Sequence, residues 1–256
     1  MKAAHAAPPS QNAHLFGQLA AAAQADPSAC ALSGKAGTCL SYGELHDAAL
    51  YLAGYLQQRL AVRAGSRVAL VMDACHALPV AYYAILRCDA VVVPMSTAPA
   101  AGALADGMLA CRTRVAIAAH AHRDAVPALL AAGVLRSAVI GAPGCVAGLS
   151  GAAPTGAEAG GIHMLDGALA AGIAPLRMGQ GGTSAAVIAA VPDTVAPATR
   201  GFALLSHHAL AAMTDQAASV GRSPLAHLLT VQRAVSQRAC LHVLGGTAPW
   251  FDVLPA

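Results

Sequence analysis

Aromatic residues make up only 4% of this 256-residue chain: one Trp, three Phe and five Tyr. A surface that stacks nucleic-acid bases needs aromatic side chains in series, and too few are present to build one. Charge is equally scarce, at 11% charged residues and a formal net charge of +3. No Lys/Arg cluster supplies the basic stripe that a nucleic-acid footprint requires, so no nucleic-acid partner is expected. There is also no run of about 20 strongly apolar residues to span a bilayer. The uncharged stretch from Ser137 to Ala157 is broken by Gly and Pro and reads as a loop. The start, MKAAHAAPPSQNAH, has no continuous apolar segment of the kind a secretory signal needs, which makes a cytoplasmic protein the expectation. The seven cysteines (Cys30, Cys39, Cys75, Cys88, Cys111, Cys145 and Cys240) form no CxxC pair. Zinc sites and disulfide frameworks need closer or paired spacing, so buried, reduced thiols are expected.

What the chain does have is alanine, about a quarter of all residues, within a hydrophobic share of 57%. The positive mean hydropathy of +0.57 reflects that alanine. Apolar residues recur at helical spacing from Gln11 to Ala25, ending before Asp26-Pro27. Short strands are expected near Ala29–Leu32 and Thr38–Leu40, around a turn at Gly34–Gly37. Ser41 followed by Glu44 is a capping box: the hydroxyl accepts the N3 amide while the carboxylate reaches back to the cap amide. Leu45, Ala48, Ala49, Leu52 and Leu56 form the apolar face of the helix it opens.

Strands at Arg67–Met72, Ala90–Val93, Arg114–Ala118 and Ser137–Ile140 then alternate with helices near Cys75–Arg87, Ala100–Ala110 and Arg123–Ala132. Short apolar strands alternating with helices argue for βαβ units around a parallel sheet. The expected fold class is therefore α/β, a mostly parallel sheet flanked by helices. Residues 141–183 are dominated by Gly, Ala and Pro and read as an irregular connection, with a short helix near Leu165–Ala171. Strands at Ser184–Val191 and Gly201–Leu205, helices from Ser206 to Ser219 and Leu225 to Gln237, and a strand at Cys240–Leu244 follow. The expected organisation is a disordered start (1–10), an α/β scaffold subdomain (11–140), the connection (141–183) and a nucleotide-binding remnant (184–256).

The phrases LSYGELHDAALYLAGYLQQRL and AGSRVALVMDACHALPVAYYAILRCDAVVVPM carry a resemblance. In order and spacing they resemble the amino-terminal region of the AMP-forming acyl- and aryl-CoA synthetase, adenylation-domain and luciferase superfamily. That family shows a T/S-Y-x-E-L helix start, a G-D-x-V strand, a helix, and a G-A-V-x-V-P strand. Ser66 stands here where the family prefers Asp, and Asp89 where it prefers Gly. Packing and capping account for Tyr42, Glu44 and Pro94 without any chemistry. The resemblance implies part of the family's large domain, and an activity of carboxylic acid adenylation by ATP and Mg²⁺ followed by thioester formation with CoA.

Two further segments extend it. In VIAAVPDTVAPATRGFALLSHHAL (187–210), Thr194, Pro197, Arg200, Gly201, Ser206 and His207 read onto the family's strand, phosphate loop, second strand and S/T-H helix start. The loop glycines are missing, with Pro192 and Val195 near their places, and the spacing is two or three residues longer. Glycines let a backbone take positive φ and bring its amides close to phosphates, and Pro also removes a donor. The phosphate cradle is therefore expected to be broken. Arg200 reads either as a remaining phosphate contact or as a solvated surface arginine. In LHVLGGTAPWFDVL (241–254), Gly245, Gly246, Ala248 and Pro249 match the family's adenine-pocket wall, although a Gly-Gly turn after a buried strand is also ordinary. The resemblance thus implies cofactor contacts at Thr194, Arg200, Gly201, Gly245, Gly246, Ala248 and Pro249, and no catalytic residue.

The two segments lie about half as far apart as in the family, and the family's aromatic/His motif, Y-G-x-T-E motif, ribose-binding Asp and catalytic Lys are absent from this sequence. The expectation is a ligase-family protein that is inactive or strongly impaired alone. The alternative is a non-catalytic interaction module, as a homo-oligomer or with a separate carboxy-terminal ligase half. His120-Ala-His122 has no Cys or carboxylate at ligand spacing and reads as a strand end or loop rather than a metal site. GQGGTS (179–184) precedes a strand instead of following one and reads as linker. No G-x-S-x-G context supports a serine hydrolase.

Overall fold

The computed structural model describes residues 14–34, 39–96, 101–141, 160–176, 184–192, 200–214, 223–244 and 250–254. Helix α1 (Leu15–Ala25) buries Leu15, Phe16, Leu19, Ala22 and Ala23, one stripe at helical spacing. The hairpin of β1 (Cys30–Ser33) and β2 (Cys39–Ser41) leads into α2 (Tyr42–Gln58). The capping box forms as the sequence predicts: Ser41 Oγ accepts from the Glu44 amide at 3.2 Å, and Glu44 Oε2 accepts from the Ser41 amide at 2.8 Å.

The alternating segment folds as β3 (Arg67–Val71), α3 (Ala77–Arg87), β4 (Val91–Pro94), α4 (Ala101–Ala110), β5 (Val115–Ala118), α5 (Val126–Ala131) and β6 (Ser137–Ile140). Then come β7 (Ile162–Met164), α6 (Leu165–Ala170), β8 (Ala185–Pro192), β9 (Arg200–Ser206), α7 (His207–Thr214), α8 (Pro224–Gln237), β10 (Cys240–Leu244) and β11 (Trp250–Leu254). Seven strands form one sheet in the order β7-β6-β5-β3-β4-β8-β9, parallel except for the antiparallel β8–β9 pair. The expected α/β class and mostly parallel sheet are found. A second sheet, β11-β10-β1-β2, was not visible in the sequence. It joins the first strands of the chain to the last, because β1 runs parallel to β10.

Side chains alternate across the large sheet, as a period of two requires. Val68, Leu70, Val92, Val115, Ile117 and Val139 enter one core with α1, α2, α3, α8 and the small sheet. Their neighbours Ala69, Val71, Val91, Val93, Ala116 and Ala118 face a second core with α4 and α5. Helix α3 is buried from Ala77 to Leu86, which explains its lack of charge before Arg87. Among the described residues no helix is long and apolar enough to cross a membrane.

Three readings change. The expected irregular connection contains β7, which pairs with β6, so part of it belongs to the sheet. Its three residues are only half-buried and show no alternation to detect. The helix expected from Arg123 starts as a 3₁₀ turn over His120–Ala125 and becomes α-helical only at Val126. The cysteines are not all reduced: Cys30 and Cys39 are joined in a disulfide, whereas Cys88 and Cys111 are free and buried.

Residues 160–176 fold back on α2. Gln58 Nε2 donates to the Ala174 carbonyl at 2.6 Å, and the Leu176 amide donates to Gln57 Oε1 at 2.7 Å. Gly54 makes this approach possible, since a Cβ there would overlap the Ile173 carbonyl and sit 2.8 Å from the Ala174 carbonyl carbon. Gly→Ala inside a helix ordinarily stabilises by about 1 kcal/mol. Here overpacking reverses the sign, and Gly54→Ala lowers stability by roughly 1–3 kcal/mol in a urea melt. An unchanged or raised midpoint would refute the close approach.

Candidate functional site

The segment that the sequence aligns with a phosphate loop is an antiparallel hairpin. Its arms β8 and β9 pair from Ala185↔Ser206 out to Pro192↔Arg200, with residues 193–199 as the connection. Val187 places β8 beside Val92 of β4, so the hairpin extends the parallel sheet. Strand β9 then runs directly into α7, where Ser206 Oγ accepts from the Ala209 amide at 3.1 Å. The two expected strands and the Ser-His helix start are found, while the loop between them lies outside the described residues. Of the residues assigned to this segment, Arg200 and Gly201 lie on β9, opposite Pro192 and Val191. Thr194 lies outside the described residues.

The second segment is also an antiparallel strand pair, with Leu244 opposite Trp250. Gly245, Gly246, Ala248 and Pro249 all lie outside the described residues. The text after Gly-Gly, read as part of a pocket wall, includes the strand β11. The two hairpins belong to different sheets.

His207 is fully buried, and its role is structural. Its Nδ1 accepts from the Leu15 amide at 3.2 Å, and its ring lies 3.7 Å, centroid to centroid, from that of His14. His14 in turn caps α1, accepting from the Phe16 amide, and its Nε2 lies 3.3 Å from Asp89 Oδ1. Asp89 has φ of +54°, the left-handed region, directly after α3. That conformation is the reason a glycine suits this position. The adjoining turn is anchored by the Gly65 amide, which donates to the Asp89 carbonyl at 2.8 Å. Ser66 Oγ accepts from the Arg63 amide at 2.9 Å, a bond that an Asp side chain can also make. The His14–Asp89–His207 group joins α1, the end of α3 and α7. It went unnoticed in the sequence because its members are single residues far apart; the one local signal was Asp89 in a glycine position.

Histidines 120 and 122 lie in the 3₁₀ turn, where Arg123 Nη1 is 3.5 Å from His120 Nε2. No group of three His, Cys, Asp or Glu side chains among the described residues is placed to hold a metal ion. In the sequence, Pro192 at the end of β8 has no amide hydrogen to donate, and no glycine occurs between it and Gly201.

The sequence pattern of the AMP-binding enzyme family matches residues 19–153, more than half the chain. The chain belongs to the AMP-binding enzyme family. A search of curated proteins found no match. Among solved structures, coronafacic acid ligase from Pectobacterium brasiliense superposes with a TM-score of 0.71 at 13% identity, over 91% of this chain and 46% of that one. The anthranilate CoA ligase AuaEII in complex with anthranoyl-AMP gives 0.67 at 14% identity, over 83% and 38%. VinN in complex with 3-methylaspartate gives 0.67 at 15%, over 90% and 61%. At these identities the likeness shows the fold. The chain spans less than two thirds of the length of these structural neighbours.

Burial of the two histidines has a measurable consequence. Burial lowers the pKa of His14, against the pull of Asp89 and with a smaller push from Arg87. Burial, with His14 adding to it, lowers that of His207 to about 3. His207 stays neutral when folded and takes up a proton on unfolding below pH 6.5, so the stability its neutral form contributes is full above that value and falls with pH toward 3, and His14 acts in the same direction. A proton bound only by the unfolded state costs about 1.4 kcal/mol per pH unit. For His207 alone the loss between pH 6.5 and 5 is then roughly 2 kcal/mol. Urea midpoints across that range should fall steeply, and less steeply in His207→Gln. Equal slopes would show that His207 is not held neutral.

Proposed function

We propose that these 256 residues form the scaffold of an adenylating acid–CoA ligase whose own ATP and Mg²⁺ binding is lost or strongly weakened. One observation carries the reading. The β8–β9 hairpin and Ser206-His207 helix start follow one another in the order that the resemblance assigns to a phosphate-loop unit, while the connection reads D-T-V-A-P-A-T without a glycine. A cradle of that kind works by aiming backbone amides at phosphate oxygens. Pro192 and Pro197 each remove an amide donor, and Val195 disfavours the positive φ that would turn the others inward. Arg200 next to Gly201 supplies one cation, too little to replace several amides. A carboxylic acid and CoA would be substrates only of an active form. No adenylation step is assigned to a residue of this chain.

Titration calorimetry of MgATP into monodisperse, folded protein tests the proposal. The expected result is no saturable heat at nucleotide concentrations up to the millimolar range, with an ATP-independent melt. Saturable binding with a Kd below about 1 mM, equivalent to roughly −4 kcal/mol, would overturn it.

A second reading, a non-catalytic interaction module or one subunit of a split ligase, is favoured by strand β9. It lies at the end of the seven-stranded sheet and exposes Phe202 (46%) and Leu204 (62%) two residues apart on one face. Exposed apolar edge strands are what native proteins otherwise blunt. If a second copy covers this strand, sedimentation velocity will show a dimer that Leu204→Glu returns to monomer. A wild-type monomer at high micromolar concentration would exclude the homodimer.

A further inference from the structure

Three cysteines meet at the small sheet: Cys30 is the first residue of β1, Cys39 the first of the antiparallel β2, in register with Ser33, and Cys240 the first of β10. Cys30 and Cys39 are joined, with Cα atoms 6.1 Å apart. Cys240 Sγ lies 3.3 Å from Cys30 Sγ, inside ordinary van der Waals contact between sulfurs, and carries a free thiol. Cys39 is exposed, and Cys30 and Cys240 are half-buried. The other described cysteines are different: burial pushes the Cys88 thiol up to about 12 and also raises Cys75 and Cys111. Such thiols are poor nucleophiles, whereas the trio combines access, a disulfide and a third sulfur in contact with it.

We propose that Cys30 is shared between two alternative disulfides, Cys30–Cys39 and Cys30–Cys240, which interconvert by thiol–disulfide exchange. The Cys240 thiolate attacks Cys30 Sγ, and the Sγ240–Sγ30 bond forms. The Sγ30–Sγ39 bond breaks, and its electron pair leaves on Cys39 as a thiolate, which takes up the proton Cys240 gave up. The exchange involves no net oxidation. The first disulfide forms from two thiols with a low-molecular-weight disulfide as oxidant, which is itself reduced to two thiols.

The two cross-links differ in what they constrain. Cys30–Cys39 closes a separation of 9 residues within one hairpin, whereas Cys30–Cys240 spans 210 residues and fastens β1 to β10. A longer closed loop removes more freedom from the unfolded chain. Exchange therefore moves the staple from a local turn to the strand pair that joins the two ends of the fold, and leaves Cys39 as an exposed thiol.

The test is to equilibrate full-length protein with oxidised glutathione, trap it with N-ethylmaleimide at low pH, and map disulfides by non-reducing digestion and mass spectrometry. The wild-type map should contain both Cys30–Cys39 and Cys30–Cys240 peptides, and that map decides without any variant. Cys39→Ser should give only Cys30–Cys240 and Cys240→Ser only Cys30–Cys39. Oxidation should raise the Tm of Cys39→Ser more than that of Cys240→Ser. A wild-type map with Cys30–Cys39 alone, with glutathione adducts but no Cys30–Cys240 peptide, or with no disulfide would overturn the proposal.

Discussion

Parallel strand pairing holds the two ends of this chain together. β8 enters the large sheet beside β4, and β10 enters the small sheet beside β1, with Leu32 opposite Leu241. Parallel strands cannot be joined by a tight turn, so each pairing closes a long stretch of chain and bears its entropic cost. Burial offsets that cost: Ala186, Val187, Ala189 and Leu241 are all within 1% of full burial. Both candidate hairpins hang from these two strands. Their positions therefore depend on the scaffold, whatever their tips can bind.

The helices between the sheets make that dependence specific. Tyr42, the first residue of α2, donates through its hydroxyl to the Ala239 carbonyl at 2.8 Å, just before β10. Tyr83 of α3 donates to Gln232 Oε1 of α8 at 3.2 Å, and Gln232 Nε2 donates to Gln18 Oε1 of α1 at 2.5 Å. Burial raises the Tyr42 phenol to about 12, so it remains a donor at any pH the fold experiences. A tyrosine that the sequence explained as packing is in fact the link from the family's helix start to the last third of the chain.

Elements governed by local chemistry were legible in the sequence. The Ser41–Glu44 capping box, the apolar strand at Arg67–Val71 and the Cys240–Leu244 strand need only neighbours within a few residues, and all three form. What escaped was non-local. Nothing in Cys30–Ser33 says that its partner is β10 rather than the large sheet, and nothing in Ile162–Met164 separates a three-residue edge strand from a loop. The proximity of Cys30 to Cys240 follows from the β1–β10 pairing, and that of His14 to His207 from the meeting of the starts of α1 and α7. Neither was open to a reading based on spacing. For the candidate site, the sequence anticipated the order of strand, connection, strand and helix. The assigned residues Thr194, Gly245, Gly246, Ala248 and Pro249 lie outside the described structure, and Arg200 and Gly201 are fixed only as strand positions.

Under the proposed function, the scaffold folds without nucleotide and the β8–β9 hairpin does not hold a triphosphate. Amide hydrogen exchange with and without MgATP tests both halves at once. β3, β4 and β5 should be strongly protected in either state, and peptides covering 184–206 and 240–254 should exchange at the same rate with nucleotide as without. Nucleotide-dependent protection of those two hairpins would show a working cradle and contradict the account.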